Sequence, residues 1–596
     1  LVNAGPGSGK THVLMMRCAH LIHMQRIAPT EILVLAFNRA VVYEIRDRIR
    51  TLFRALGYGS YANRLDVSTF HSFALRHQQA KELYEEDAIE QAVHIFAEAM
   101  ESDSDFARAV GSRYKAVLVD EFQDMNEDFY SVVKVLLSNC GGGGMVIGDD
   151  DQDILTWNRR DWQRKYGQDC PLDAVHYFSE FRESLKPDEH SLSLNYRSVP
   201  EIVKRANGMI QKVSTQVGFS RMKEKMALDA FRSDKGVVEI PMNPAEFSRL
   251  VAESLERAEK VAVLCRSNRE CRQVYETLIG STCIAEDQVD LLGSEDFPLY
   301  QLRHSGALLD ICHTRRDYDF VESYIWEEFM GEIEERGLAD REDGHAYLEL
   351  LYSLVKKEVG RPRVRDLQSF IDEMRGSDVE RLKAKFGLGD TRGKLTIATV
   401  HKVKGLEYDT VLVMPSNESF PFRRNNGQLP NPEDIDAAEE ARLYYVAMTR
   451  ARNRLHVGWA SREKGWWKCY RHKAEDNAHR YCLRGSPKEC FVSWPGQQDQ
   501  VRGGLQSYIE RQVSLGDPLE LRDRFLRHKG KAIGRLSNRA ATLLQQTNAK
   551  PQMRVSNVIR YTCGNYFREH NTQFWERLDD AVKRKGWFYL VLAEEA

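Results

Sequence analysis

Residues 1–11 of the chain read Leu-Val-Asn-Ala-Gly-Pro-Gly-Ser-Gly-Lys-Thr, and an apolar pattern with helical spacing follows at residues 13–24. This order predicts a strand, a glycine-rich loop and a helix, which is the context of a phosphate-binding loop. Gly5, Gly7 and Gly9 allow the backbone to curl so that its N–H groups face phosphate oxygens. The N-terminus of the helix adds a favourable partial positive charge. The pattern therefore predicts a site for a nucleoside triphosphate.

The side chains of this loop have separate expected roles. Lys10 can reach the β- and γ-phosphates, and Thr11 can offer its hydroxyl to magnesium. The first position of the usual pattern is Ala4 instead of glycine. The loop residues that we expect to contact the nucleotide are Ala4, Gly5, Gly7, Ser8, Gly9, Lys10 and Thr11.

Residues 117–121, Val-Leu-Val-Asp-Glu, predict the second half of the site. Together with the apolar run at 32–37, they have the composition of buried parallel strands. The strand delivers two acidic residues to the sheet edge where open α/β sheets bind ligands. We expect Asp120 to hold magnesium and Glu121 to act as the general base on the attacking water. Such a pair can also be a helix cap, but the phosphate loop favours the catalytic interpretation.

Six motifs then follow one another along the chain. They are Thr-Phe-His-Ser-Phe at 69–73, Asp-Glu-Phe-Gln-Asp at 120–124, Gly-Asp-Asp-Asp-Gln at 148–152, Asn-Tyr-Arg-Ser at 195–198, Val-His-Lys-Val-Lys-Gly-Leu-Glu at 400–407 and Tyr-Val-Ala-Met-Thr-Arg-Ala at 445–451. Their order and spacing resemble those of the superfamily 1A DNA helicases, the UvrD/Rep/PcrA group, over residues 1 to about 460. The resemblance implies an α/β fold with two RecA-like phosphate-loop NTPase domains, each built on a parallel sheet, and ATP in the cleft between them.

The resemblance also implies roles around the ATP. Gln152 would sense the γ-phosphate, and Tyr196 would stack on the adenine. Arg197 and Arg450 would lie on the second domain as arginine fingers, because a planar guanidinium can stabilise charge on the transferring phosphoryl group. Glu407 belongs to the motif that links the nucleic acid to the ATP site, and we include it among the nucleotide-binding residues.

Five residues are expected to contact nucleic acid, and three of them, Phe37, His71 and Trp157, match positions where the family contacts a single strand of DNA. Trp157 is expected to stack on a base, which is worth about 1–3 kcal/mol. The others are Phe37, Asn38, His71 and His401, although Asn38 stands where the family has a different pair of residues.

The chain departs from the family at its adenine contacts. His12 stands where the family usually has an arginine that stacks on adenine, so we expect a weaker stacking contact. The glutamine motif that normally precedes the phosphate loop is absent from the chain, which begins at Leu1 inside a strand. We therefore expect native sequence upstream of Leu1.

Two RecA-like domains, each with a helical insertion, account for the motor. The expected bounds are 1–76 and 114–192 for domain 1A, without its N-terminal part, 77–113 for a reduced 1B insertion, 193–290 and 393–460 for domain 2A, and 291–392 for a helical 2B insertion.

The C-terminal part lies outside the motor motifs. We expect a basic linker region at 461–515 and a small β-rich module at 516–596. Residues 461–596 hold 25 Lys+Arg against 15 Asp+Glu, a net charge of +10 in a chain whose net charge is −3. This excess favours a polyanionic partner, but a solvated charged surface accounts for it equally well.

Two further patterns in this part leave alternatives open. Cys469, His472, His479 and Cys482 have spacings that can bind zinc, although ordinary basic sequence is the favoured interpretation. Gly-Asp-Pro-Leu at 516–519 with Ile-Gly-Arg-Leu at 533–536 resembles a HIRAN domain, a DNA-end-binding fold. A β-rich appendage that contacts a protein partner is the alternative.

These patterns together predict an ATP-dependent helicase or translocase that moves 3′-to-5′ on single-stranded DNA, with ATP and Mg²⁺ as cofactors. Its partners would be single-stranded DNA, junctions of single- and double-stranded DNA, and a protein bound by the C-terminal module, in repair, recombination or defence against foreign DNA. The alternatives are an ATP-gated switch with little translocation and a motor on RNA. Eleven scattered cysteines, no secretory pattern and no apolar run of membrane-spanning length favour a cytoplasmic protein with no membrane partner.

Overall fold

A computed structural model of the chain describes most of its residues. These are 1–37, 39–77, 86–216, 228–239, 244–257, 259–280, 284, 288–292, 297–315, 320–336, 338, 344–375, 379, 395–414, 435–458, 490–491, 504–538, 540–542, 552–562, 576 and 586–595. Asn38 and the four candidate zinc ligands lie outside them, so the structure does not bear on those predictions.

The described helices are α1 (Lys10–His23), α2 (Arg39–Ala55), α3 (Gly59–Ala62), α4 (Phe70–His77), α5 (Glu86–Ser102), α6 (Ser104–Gly111), α7 (Glu127–Asn139), α8 (Thr156–Tyr166), α9 (Ala174–Leu185), α10 (Pro200–Gln216), α11 (Pro244–Glu256), α12 (Asn268–Gly280), α13 (Arg303–Thr314), α14 (Ser323–Glu335), α15 (Gly344–Val359), α16 (Val364–Glu373), α17 (Ile435–Met448) and α18 (Gly504–Gln512). The described strands are β1 (Val2–Ala4), β2 (Ile32–Ala36), β3 (Asp66–Thr69), β4 (Ala116–Val119), β5 (Gly144–Gly148), β6 (His190–Leu192), β7 (Leu194–Asn195), β8 (Asp229–Ala230), β9 (Val237–Glu239), β10 (Val261–Cys265), β11 (Val289–Leu291), β12 (Leu395–Thr399), β13 (Tyr408–Val413), β14 (Ala451–Val457), β15 (Cys490–Phe491), β16 (Pro518–Arg522), β17 (Phe525–His528), β18 (Lys531–Leu536), β19 (Met553–Thr562) and β20 (Trp587–Glu595).

The first sheet is parallel throughout and has the order β3–β2–β4–β5–β1–β6. Alternate residues of β2 lie in two different hydrophobic cores, because successive side chains of a strand point to opposite faces. Leu33 and Leu35 pack in one core, and Ile32, Val34 and Ala36 pack in the other. Both faces of the sheet are therefore covered, which explains the continuous apolar runs in its strands.

The second sheet is also parallel and has the order β11–β12–β10–β13–β14–β9. Its strands β10 and β13 are almost completely buried, and α10, α11, α12 and α17 contribute to the surrounding cores. The α/β fold with two parallel sheets, predicted from the motifs, is confirmed. Both sheets belong to one compact unit made of residues 1–80, 91–294 and 380–474.

A second compact unit contains residues 81–90, 295–379 and 475–596. Its sheet is antiparallel, with the order β15–β18–β17–β16–β19–β20, and helices α13 to α16 belong to the same unit. Arg560 on β19 binds Asp310 on α13 through two hydrogen bonds of 2.7 and 3.0 Å. The same guanidinium lies 4.2 Å from the centroid of the Trp587 ring. Because Arg560 is buried, this ion pair fixes the helical insertion to the C-terminal sheet.

Part of the region expected to be a linker packs inside this second unit. Strand β15 pairs with β18, and α18 places Ile509 in the core of the antiparallel sheet. Val513 is fully buried in the same core, and its carbonyl accepts a hydrogen bond of 2.6 Å from Arg303. Within the stretch that the sequence predicts to be a linker, residues 490–491 thus form a strand, and Leu505, Ile509 and Val513 lie in the core of the antiparallel sheet.

Within the described residues, no helix combines the length and the apolar character that crossing a bilayer requires. No group of three or more His, Cys, Asp or Glu side chains in that part of the chain is arranged to hold a metal ion.

We expect Leu118→Ala to destabilise the first sheet by about 2–5 kcal/mol, because Leu118 is 1% exposed in β4 and its loss leaves a cavity. The matched control is Ile95→Ala on α5, where the side chain is 41% exposed and the effect should stay within about 0.5 kcal/mol. Urea unfolding followed by circular dichroism measures both changes at the first transition. Equal midpoints for the two variants would contradict the assignment of β4 to the core.

Candidate functional site

Strand β1 delivers the phosphate loop to the N-terminus of α1. Gly7 and Gly9 have φ angles of 69° and 87°, in the left-handed region that glycine adopts without a steric penalty. The hydroxyl of Ser8, which is buried, donates a hydrogen bond of 2.7 Å to the carbonyl of Gly5. The loop is thus closed on itself, and α1 begins at Lys10 at its end.

The acidic residues at the end of β4 lie beside the loop. The Lys10 ammonium is 3.2 Å from the Glu121 carboxylate. Asp120 is 2% exposed, and one of its oxygens accepts a hydrogen bond of 2.9 Å from the Glu121 backbone N–H. Glu121 has a φ of 51°, a left-handed conformation that is uncommon for a residue with a side chain and that often occurs at functional sites.

The pKa values of these two carboxyls are shifted in opposite directions. Burial and the neighbouring charge of Glu121 raise the pKa of Asp120 well above its usual range. Burial also opposes the ionisation of Glu121, but the Lys10 and Lys404 ammonium groups outweigh it and lower the pKa of that carboxyl. Asp120 therefore needs additional positive charge to ionise fully. A divalent cation with oxygen ligands fits this position, with Thr11 offering the second oxygen.

A series of hydrogen bonds links Glu121 to Gln152. Gln123 donates to the Glu121 carboxylate, and its side-chain oxygen accepts a hydrogen bond of 2.9 Å from the Asp149 backbone N–H. Gln152 donates a hydrogen bond of 2.6 Å to the Asp149 carboxylate. All of these residues except Glu121 are fully buried. The expected base and the expected γ-phosphate sensor therefore belong to one connected network.

The second sheet contributes two cations to this network. Arg450, which follows α17 and is 2% exposed, donates a hydrogen bond of 3.3 Å to the side-chain oxygen of Gln152. Lys404 donates to the Asp124 carboxylate and, over 3.1 Å, to the Gln152 carbonyl. Groups from the two sheets thus meet at Gln152.

Arg197 is held by a different carboxylate. Its Nε donates a hydrogen bond of 2.7 Å to Glu407, and its Nη1 donates one of 3.1 Å to the Thr449 carbonyl. Glu407 also pairs with Arg452, and although burial opposes it, the two guanidinium groups lower the pKa of this carboxyl. Arg197 is accordingly fixed at the edge of the site by an ion pair.

The segment before Arg197 is bonded directly to the phosphate loop. Asn195 donates a hydrogen bond of 2.8 Å to the Pro6 carbonyl, and the Tyr196 N–H donates one of 2.8 Å to the Gly7 carbonyl. A Cβ atom on Gly7 would lie 2.8 Å from the Asn195 side chain and from the Cβ of Arg197. Glycine is required at position 7 both for its backbone angle and for this close approach.

These groups surround a cavity of about 580 Å³, a size in the range of small-molecule sites. Tyr196 is 52% exposed at its wall, and its ring centroid lies 4.8 Å from that of Phe231. The predicted nucleotide-site residues that line the cavity are Gly7, Gly9, Lys10, Thr11, Asp120, Glu121, Gln152, Tyr196, Arg197, Glu407 and Arg450. Ala4, Gly5, Ser8 and His12 are not among the described residues of its lining; His12 lies exposed on α1.

The residues expected to contact nucleic acid fall into separate groups. Phe37 and His71 both lie against Phe129, with ring centroids 5.7 and 5.9 Å from it. Trp157 is 58% exposed at the start of α8, so its indole is available to a ligand. His401 is bonded to the Ile154 backbone, and burial together with nearby cations lowers its pKa to about 4. It is therefore neutral at physiological pH and contacts the segment between Gln152 and Trp157.

Three residues with central positions in the network were not assigned from the sequence: Gln123, Asn195 and Lys404. Each lies inside one of the six motifs, so the sequence indicated the segment that contains it. The spacing of a motif does not show which of its polar side chains face another motif.

We expect Glu121→Gln to retain ATP binding and to lower the turnover of ATP hydrolysis by about 10²–10⁴-fold, because the amide cannot accept the proton of the attacking water. The matched control is Glu98→Gln on α5, where the carboxylate is 63% exposed. Release of phosphate and binding of a fluorescent ATP analogue measure the two properties. Equal turnover in both variants would remove Glu121 from the role of general base.

Comparisons with known proteins agree with this geometry. The family model of the UvrD/REP helicase N-terminal domain matches residues 1–95 and 77–164, and that of the UvrD-like helicase C-terminal domain matches residues 340–462. The chain is 22% identical to DNA helicase II of Haemophilus influenzae, over 84% of the chain and 86% of that protein. It is 23% identical to the ATP-dependent DNA helicase PcrA of Staphylococcus epidermidis, over 84% and 86%. It is 24% identical to the ATP-dependent DNA helicase UvrD2 of Mycobacterium tuberculosis, over 78% and 77%.

Two matched helicase domains in the expected order, on two parallel sheets that share one cavity, agree with the motif series in the sequence. Residues 1–164 and 340–462 therefore match the N-terminal and C-terminal domains of UvrD-like helicases, and these matches together with the named relatives support an ATP-hydrolysing DNA helicase.

Proposed function

We propose that the protein is an ATP-driven motor that moves 3′-to-5′ on single-stranded DNA and uses this movement to separate strands or displace bound proteins. The observation that carries the proposal is the meeting of Lys10 and Glu121, from the first sheet, with Arg450, from the second sheet, around one cavity. Lys404, also from the second sheet, donates a hydrogen bond to the carbonyl of Gln152, which lines the same cavity. A site composed of groups from two sheets changes shape whenever one sheet moves against the other.

The proposed role of the phosphate loop is to bind the triphosphate. Backbone N–H groups at the start of α1 face the phosphates, and Lys10 exchanges its bond to Glu121 for the β- and γ-phosphates. Thr11 and Asp120 would hold magnesium, which would supply positive charge next to the phosphate oxygens. Departure of Lys10 releases Glu121, which then accepts a proton from the attacking water.

The proposed role of the arginines is to link hydrolysis to closure of the cleft. Arg450 already donates to Gln152, and a short shift would bring its guanidinium onto the γ-phosphate. Arg197 would first separate from Glu407, which keeps its ion pair with Arg452 and would then be able to bind the nucleotide. Tyr196 offers an exposed ring for the adenine, and Phe231 supports that ring from one side.

The proposed track is single-stranded DNA. Trp157 presents an exposed aromatic ring to a base, and Phe37 and His71 form a second aromatic contact against Phe129. The curated relatives are named as DNA helicases, which supports DNA over RNA. The motor would act in the cytoplasm, on junctions of single- and double-stranded DNA, in repair, recombination or defence against foreign DNA.

The antiparallel sheet of the second unit is the proposed contact with a protein partner. Arg522, Arg524, Lys529 and Lys531 are exposed along two of its hairpins. A partner with an acidic surface would complement this charge.

A specific observation also favours an ATP-gated switch with little unwinding. The insertion in the first RecA-like domain contains only two described helices, α5 and α6, which span residues 86–111. The family inserts a larger domain there, which contacts duplex DNA. A protein with this reduced insertion can retain nucleic-acid binding that is gated by ATP and lose strand separation.

We expect ATP-dependent unwinding of a duplex with a 3′ single-stranded tail and no unwinding of a duplex with a 5′ tail. A gel-based strand-displacement assay measures both, with Glu121→Gln as the control for dependence on hydrolysis. Displacement of streptavidin from a biotinylated 5′ end, without unwinding, would identify a translocase that does not separate strands. Preference for the 5′ tail would refute the proposed polarity, and absence of both activities would favour the switch.

A further inference from the structure

Two segments of the motor contact each other in a regular order. The first runs from Gln152 into α8, and the second is α17 with the residues that follow it. Gln152 contacts Arg450 at 3.3 Å, and the Thr156 N–H donates a hydrogen bond of 3.3 Å to Glu439. Near the other end of the series, Arg160 lies 2.6 Å from the Asp436 carboxylate. Residues that come later in the first segment contact residues that come earlier in the second. The two segments therefore run antiparallel.

Asp153 lies in the middle of this series and is 0% exposed. Its carboxylate accepts hydrogen bonds of 2.9 and 3.0 Å from Arg159 on α8 and one of 2.7 Å from the Ala174 N–H. Arg159 in turn donates to the Met125 and Gln123 carbonyls over 2.8 and 2.7 Å. Asp153 is thus rigidly connected to α8, whose second residue is Trp157.

Arg442 approaches Asp153 from α17 but does not complete the contact. Its Nη1 lies 3.7 Å from the Asp153 carboxylate, and both side chains are essentially inaccessible, at 1% and 0% exposure. The Nε and Nη2 atoms of Arg442 are buried and have no hydrogen-bond partner within the described part of the chain. A buried guanidinium in this situation is destabilising, since its lost hydration is not replaced. An apolar side chain of similar volume would fill the same space at less cost to stability.

We propose that Arg442 is a positioning residue that transmits the state of the nucleic-acid contact to the ATP site. This inference rests on the proposed function. When a base displaces Trp157, α8 carries Asp153 with it, and the loose contact with Arg442 closes to a charge-assisted hydrogen bond of about 2.8 Å. Arg442 then pulls on α17. Because α17 ends at Met448, two residues before Arg450, the movement reaches the guanidinium that contacts Gln152.

The geometry separates this role from catalysis. Arg442 is not among the described residues that line the cavity, so its removal leaves the phosphate contacts in place. Asp153 keeps Arg159 and the Ala174 N–H when Arg442 is replaced, so no carboxylate is left buried and alone. If Arg442 has only a structural role, its replacement should lower the stability of the protein. If it is a positioning residue, its replacement should reduce the stimulation of ATP turnover by DNA.

The experiment uses Arg442→Met and Arg442→Lys in the full chain, with Arg249→Met as the matched control at an exposed arginine on α11. ATP turnover is measured without nucleic acid and with saturating single-stranded DNA. We expect Arg442→Met to keep the basal rate of the unaltered protein, to have a urea midpoint equal to or above that of the unaltered protein, and to lose about 5-fold or more of the stimulation by DNA. Arg442→Lys, which keeps a charge near Asp153, should recover part of it.

A second measurement does not depend on turnover. The dissociation constant for single-stranded DNA is determined with and without a non-hydrolysable ATP analogue, which reports the reciprocal coupling between the two sites. In the unaltered protein the ATP analogue should change the dissociation constant for single-stranded DNA. In Arg442→Met the analogue should leave this constant unchanged. Full stimulation or an intact shift in Arg442→Met would overturn the inference, and so would a lowered midpoint with coupling retained. If the unaltered protein shows neither stimulation nor shift, the proposed function itself fails and the inference fails with it.

Discussion

The carboxylate pair at the end of β4 imposes the central constraint on this molecule. Asp120 and Glu121 are adjacent and largely buried, and two such charges do not remain ionised without nearby cations. Lys10 provides one cation from the phosphate loop, and Lys404 provides another from the second sheet. The charge balance of the first sheet therefore depends on a cation from the second sheet.

Gln152 is the residue at which groups of the two sheets are hydrogen-bonded to each other. It is connected to Glu121 through Gln123 and Asp149, and it receives Arg450 and Lys404 from the opposite sheet. The next residue, Asp153, is bonded to the helix that carries an exposed Trp157. One short segment thus contacts the hydrolytic groups, the second sheet and the proposed base-stacking side chain. Interfaces of this kind tend to have discrete arrangements because packed groups do not deform continuously.

The sequence was sufficient for features that local pattern controls. The apolar runs at 32–37 and 117–119 became β2 and β4. Five of the six motifs contribute residues to the cavity, and the motif at 69–73 is the exception. Contacts between distant residues were not predictable, since no periodicity records that Arg442 approaches Asp153 or that Arg560 binds Asp310. The basic composition of 461–515 likewise did not show that Leu505 and Ile509 of α18, and Val513 after it, lie in a core.

The most direct test of the account is the rate of ATP hydrolysis by the purified protein without nucleic acid and with single-stranded DNA, duplex DNA or single-stranded RNA. The network at Gln152 predicts strong stimulation by a single strand and weaker stimulation by duplex DNA. The proposed DNA track, which the named relatives support, predicts no stimulation by RNA beyond that of the duplex. Equal stimulation by RNA would contradict the proposed track. A rate that no nucleic acid changes would contradict the central claim, because the hydrolytic groups would then be independent of the segment that carries Trp157.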